Sequence, residues 1–144
     1  MKKIFLLLPV LALCACDNAK TYVIGDTAEC SGLNETDTEP VSCRDKNGEL
    51  IKRGIVKQYY ENGKIWREIS IRDGRENGIE REYYENGNIH VIANVVDGRA
   101  EGESKLFNEN GKLNMIIDWE NNAVKSIKVY DENGKVIHTT SPEE

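Results

Sequence analysis

Asn-Gly pairs fall at 47–48, 62–63, 86–87, 110–111 and 133–134, and from the second pair onward their spacing is nearly constant. Gly63 to Gly87 and Gly87 to Gly111 are each 24 residues, and Gly111 to Gly134 is 23. A second marker runs in phase: Gly54, Gly78 and Gly102 each precede an aromatic residue by five places, at Tyr59, Tyr83 and Phe107. The stretches DGRENG at 73–78 and DGRAEG at 97–102 separate successive units. Self-similarity at a fixed period of this length marks a repeat array, in which no unit buries its apolar face alone.

Inside a unit the grammar is that of strands. Asn-Gly between alternating apolar runs is a hairpin signal, because both turn residues tolerate a left-handed backbone. After the turns, Ile65, Ile69 and Ile71 alternate with Trp66, Glu68, Ser70 and Arg72. Ile89, Val91, Ala93 and Val95 share one face of the next such strand, as do Leu113, Met115, Ile117 and Trp119 in the third. A period of two with β-branched enrichment predicts half-buried strands, and no helical period is present. A two-residue loop would set Tyr59 opposite Trp66. A three-residue Glu-Asn-Gly loop sets it opposite Ile65, and likewise pairs Tyr83 with Ile89, Phe107 with Leu113 and Tyr130 with Val136. The second choice gathers the recurrent aromatic and aliphatic residues on one apolar face and is adopted here. The expected fold is all-β, an elongated single-layer antiparallel meander of repeated β-hairpins over residues 46–140, with 141–144 as a tail.

The N-terminus reads differently. Lys2 and Lys3 precede an apolar run, Ile4 to Leu13, too short to span a bilayer, which is a secretory signal pattern. The run ends Leu13-Cys14-Ala15-Cys16, which resembles the lipobox of bacterial lipoproteins. The resemblance implies removal of residues 1–15 and a lipid-modified Cys16, with no other cofactor. Several acyl chains on one Cys hold a protein firmly, each buried methylene adding ~0.8 kcal/mol. In a Gram-negative host, Asp17 resembles the signal for retention at the inner membrane, with the chain on the periplasmic side.

Without Lys2 and Lys3, 17 basic residues face 25 acidic ones, a net charge of −8. An acidic chain with no basic cluster argues against nucleic acid and against charge-driven binding to anionic lipid. Cys30 and Cys43 remain after Cys14 and Cys16 are accounted for, and an exported chain sits where disulfides form. Their spacing suits neither a CxxC redox pair nor a zinc site, so a structural bridge is expected. Residues 16–45, rich in Thr, Glu, Asp and Asn, read as a tether followed by a loosely folded, disulfide-pinned segment.

The unit of Gly, five places, aromatic, Glu-Asn-Gly-Lys, strand and Asp-Gly-x-x-x-Gly resembles the variant MORN repeat over about residues 48–137. Arrays of this repeat are commonly labelled YwqK-type antitoxin components, which implies a toxin as one class of partner. A lipobox departs from a cytoplasmic antitoxin.

No catalytic constellation stands out. His90 and His138 lie in equivalent strands without a metal-binding or nucleophile motif. The turns lack the ligand order of a calcium loop, so neither a catalytic nor a metal site is expected. On the face opposite Tyr59, the alternation places Tyr60, Trp66, Tyr84 and Ile92, with Val96 and Ile116, among Glu68, Glu82 and Asn94. Aromatic residues within a polar rim are the composition of a protein-binding hot spot. The same face could instead be covered by the N-terminal segment or a second copy. The expected function is a non-enzymatic interaction or scaffold module anchored by lipid to the bacterial envelope. The alternative is a toxin-neutralising antitoxin or immunity lipoprotein.

Overall fold

Turn chemistry and strand alternation generate nearly every element of the chain. The computed structural model describes residues 21–32 and 41–141, so Cys16 and the signal-like stretch lie outside the described residues. The strands are β1 (Thr21–Val23), β2 (Ala28–Ser31), β3 (Ser42–Asp45), β4 (Arg53–Tyr59), β5 (Ile65–Arg72), β6 (Arg75–Tyr83), β7 (Ile89–Val96), β8 (Arg99–Ala100), β9 (Gly102–Phe107), β10 (Leu113–Glu120), β11 (Ala123–Tyr130) and β12 (Val136–Thr140). From β4 to β12 they form one open antiparallel meander, in the order β4-β5-β6-β7-β9-β10-β11-β12, with β8 paired on β7. The fold is all-β, an array of hairpins.

The expected three-residue loops form. Tyr60 N–H donates to Lys64 O at 2.8 Å, enclosing Glu61-Asn62-Gly63, and Gly63 N–H donates back to Tyr60 O at 2.9 Å. Gly63 has φ +80°, the left-handed conformation that glycine adopts without a Cβ penalty. Tyr59 pairs with Ile65, Tyr83 with Ile89, Phe107 with Leu113 and Tyr130 with Val136.

Beyond each turn the register shifts by one residue, between Gln58 and Tyr59 and again between Glu82 and Tyr83. One inserted residue reverses which side later residues occupy relative to strict alternation. Tyr83 therefore lies with Glu68, to which its hydroxyl donates at 2.7 Å, and not with the Ile69 and Ile71 side. Tyr59 is 43% exposed. The expected merger of the aromatic row with the aliphatic core is thus corrected: the pairs are right and the face is wrong.

The N-terminal segment is also corrected. Its described parts are strands, not a loose stretch. β1 joins the array's first strand in parallel, Tyr22 opposite Val56, and β2 pairs with β3. Cys30 and Cys43 face each other in that pair and are disulfide-bonded. Tyr22, Ala28, Val41 and Cys43 pack with Ile51, Val56, Ile69 and Ile71 into the core. Burying aliphatic side chains of this size stabilises by ~1.5–3 kcal/mol each. A backbone clamp fixes the overlay: Cys43 N–H donates to Gly74 O, and Gly74 N–H donates to Ile51 O, both at 2.8 Å. The N-terminal strands cover one face of the first hairpin.

Candidate interaction surface

Residues directly opposite in antiparallel strands share a face, so the pairing register defines each surface. On the side covered by the N-terminal strands, one row runs Gln58, Arg67, Glu82, Val91, Leu106, Met115, Val129. Ile117 and Ile127 form a neighbouring pair on the same side. On the other side the row reads Lys57, Glu68, Arg81, Ile92, Lys105, Ile116, Lys128.

These rows separate the residues that the sequence groups together. Tyr60 and Trp66 meet, with ring centroids 6.4 Å apart. Tyr84 meets His90 at 4.5 Å, and His90 Nδ1 lies 3.7 Å from Glu82 Oε2. Both clusters sit on the side of Glu82. Ile92 is on the opposite side, flanked by Arg81 and Lys105, and so is Glu68. The structure brings Tyr60 to Trp66, and it separates Ile92 from them. The inserted residue after each turn is the cause. His90 enters the aromatic group by the same shift, a change of face that period-two reading cannot register.

The paired tyrosines also have internal partners. Tyr60 hydroxyl donates to Tyr83 O at 2.5 Å, and Tyr84 hydroxyl donates to Phe107 O at 2.7 Å. Lys64 Nζ donates to Glu85 O, and the Asn86 and Asn88 amides donate to Glu109 O. The turns after β4 and β6 are each stitched to the next turn by their own side chains. Asn108 stands at the third tyrosine position, and its shorter side chain ends the series.

A polar layer separates the core from the apolar part of the first row. Glu76 is 5% exposed, its Oε1 has no hydrogen-bond partner, and it pairs with Ile71 of the core. Burial, with repulsion from Glu80, pushes its carboxyl up to about 8. Arg67 Nε donates to Glu80 Oε1 and lies 3.6 Å from Glu82. Burial works against the Arg67 charge, but Glu80 outweighs it and holds the guanidinium more firmly protonated than usual. Burial alone would raise Glu68. Hydrogen bonds from Tyr83 and Lys57 overcome it, so its carboxyl titrates below the usual range. Burial and Glu68 together push the Tyr83 phenol up to about 12.

Past that layer, Val91, Leu106, Met115, Val129, Ile117 and Ile127 are half-buried, neither sealed by a second layer nor fully in solvent. No strand lies over them among the described residues. In the same residues no group of three His, Cys, Asp or Glu side chains is placed to hold a metal ion. Among the described residues no helix is long and apolar enough to cross a membrane.

The repeat unit has a counterpart among known families. Residues 52–73, 76–97 and 100–121 each match the MORN repeat variant. The three matches step by 24 residues and begin near β4, β6 and β9. Neither a curated protein nor a solved structure matches the chain.

Proposed function

We propose that this chain, with its three copies of the MORN repeat variant, is a non-enzymatic protein-interaction module tethered to a bacterial envelope membrane by lipid on Cys16. One observation supports the module most: the half-buried apolar row Val91, Leu106, Met115, Val129 continues the core side of the sheet beyond the N-terminal cover. A row of this kind with Arg67, Glu82 and Trp66 at its margin has the apolar centre and polar rim of a protein contact. Tyr60 and Tyr84 hold the platform together through their hydroxyls, and the binding is assigned to the row beside them.

The anchor places the array on the periplasmic side in a Gram-negative cell, with Asp17 favouring the inner membrane. A toxin is one partner such a surface could take, which would make the protein an antitoxin-like or immunity lipoprotein. Rescue of cells expressing a neighbouring toxic gene would support that narrower role. The wider reading is tested by capturing the intact lipoprotein from detergent-solubilised membranes. A partner should co-purify with the wild type and be lost from Leu106→Asp with Met115→Asp, while the β-sheet circular-dichroism signal is kept. A partner retained by that variant overturns the assignment of the surface. Metabolic fatty-acid labelling tests the anchor: an unlabelled wild type, or a labelled Cys16→Ser variant, overturns it.

A further inference from the structure

Three arginines stand in direct register across the first repeat. Arg53 of β4 pairs with Arg72 of β5, and Arg72 pairs with Arg75 of β6. All three are exposed. Neighbouring strands lie ~4.8 Å apart, so the three guanidinium stems occupy a width of about 10 Å. The hairpin that joins two of them is tight: Asp73 and Gly74, both at positive φ, turn Arg72 directly onto Arg75. Arg72 shares its strand face with Ser70 and Glu68, the side away from the buried Ile69 and Ile71, and Arg75 is also paired with Ser42 of β3.

Repulsion within the row does not favour this arrangement. Like charges directly opposite on a sheet are destabilising. The repeat does not ask for it either. One period on, the equivalent positions are Asn77, Val96 and Arg99; after another they are Glu101, Glu120 and Ala123. The row changes from three cations to two carboxylates within two repeats, in a chain whose net charge is −6. The cationic end is extended by Arg81, and by Lys57, whose charge is answered by Glu68 at 3.0 Å. Arginine has a planar fork of donors matched to carboxylate and phosphate oxygens, unlike the point charge of lysine.

We propose that Arg72 and Arg75, with Arg53 beside them, form an anion-binding site that takes a short acidic segment of a partner protein. This rests on the interaction-module reading and adds the chemistry of what is bound. The size of the segment follows from the charge gradient. A long polyanion or an anionic membrane surface lying across the sheet would meet Glu101 and Glu120, with Glu103 and Asp118 paired beside them. A peptide carrying a few carboxylates fits within one repeat, beside the arginines and clear of Glu101 and Glu120.

The test uses the purified full chain and a short fluorescent oligoglutamate peptide, read by anisotropy at low and moderate salt. The wild type should bind, more weakly as salt rises. Arg72→Glu with Arg75→Glu should weaken binding roughly tenfold or more for each arginine reversed, since 1.4 kcal/mol is a factor of ten. Lys128→Glu, an exposed cation at the far end of the same face, should leave it unchanged, and circular dichroism should be the same for all three proteins. Equal loss in the Lys128 variant would mean a diffuse charge effect and overturns the site. Tighter arginine-dependent binding to phosphatidylglycerol vesicles or single-stranded DNA than to the peptide overturns the choice of ligand. Binding that appears only when Glu35, Asp37 and Glu39 are neutralised would assign the arginines to the chain's own acidic stretch, and overturns the proposal. Absence of peptide binding while the Leu106- and Met115-dependent partner is still captured removes this site and leaves the module reading intact.

Discussion

Replacing Glu76 with Gln should make the protein more stable at neutral and alkaline pH. Glu76 is 5% exposed, lies against the core, and has one oxygen without a partner. Its carboxyl titrates at about 8 in the fold against the usual 4.5, because burial and the Glu80 charge both oppose ionisation. Between those values the folded chain holds a proton that the unfolded chain has released. Stability therefore falls as pH rises, with the slope set by that difference in bound protons. At about 1.4 kcal/mol for each pH unit, the fold loses roughly 3 kcal/mol between pH 4.5 and 7, and roughly 4–5 kcal/mol by pH 8. Against a typical stability of about 5–15 kcal/mol, that is a large part of the whole. Glu68 and Tyr83 do not confuse the window. The depressed Glu68 carboxyl loses its stabilising effect only as pH falls below the usual carboxylate range, and the Tyr83 phenol titrates near 12. Gln at position 76 is always neutral and can donate to Glu80 as the protonated acid does. Urea unfolding at pH 5, 7 and 9, with the disulfide intact, measures the effect. The wild-type midpoint should fall steadily across the series and that of Glu76→Gln should stay nearly level, with similar m-values. Parallel curves for the two proteins, or a flat wild type, would refute the buried-proton argument.

Tyr84→Phe removes the hydroxyl that donates to Phe107 O and should destabilise the array by about 1 kcal/mol. An unchanged urea midpoint would mean that water replaces the bond at no loss. Gly63→Ala meets nothing within 4 Å and should lose only the left-handed backbone preference, ~1–2 kcal/mol. Gly74→Ala has a similar φ, but its new methyl collides with the Leu50 side chain and strains the clamp to Ile51 and Cys43. It should destabilise by roughly 1 kcal/mol or more beyond Gly63→Ala. Equal melting temperatures for the two alanine variants would count against that clamp.

What the sequence determined by itself is local. An Asn-Gly corner needs only a left-handed glycine and a bond from Gly63 N–H to Tyr60 O, so loop length and the pairs Tyr59–Ile65 and Tyr83–Ile89 were legible from a few adjacent residues. The 24-residue step then sets the strand order, because consecutive hairpins can bury their faces only by pairing in sequence. The grouping of the candidate residues was legible only in part: Tyr60 and Trp66 do meet, while Ile92 falls on the other face. Strict alternation cannot sense the residue inserted after each turn, and one such residue exchanges the two faces. Tertiary structure alone decided that Tyr22 and Cys43, from a polar stretch, would complete the core. Those contacts join β1 and β3 to Val56, Ile69 and Ile71, residues distant in the chain, and no local propensity records them. The arginine row is of the same kind. Arg53, Arg72 and Arg75 are scattered in the sequence and become one surface only when three strands take their register.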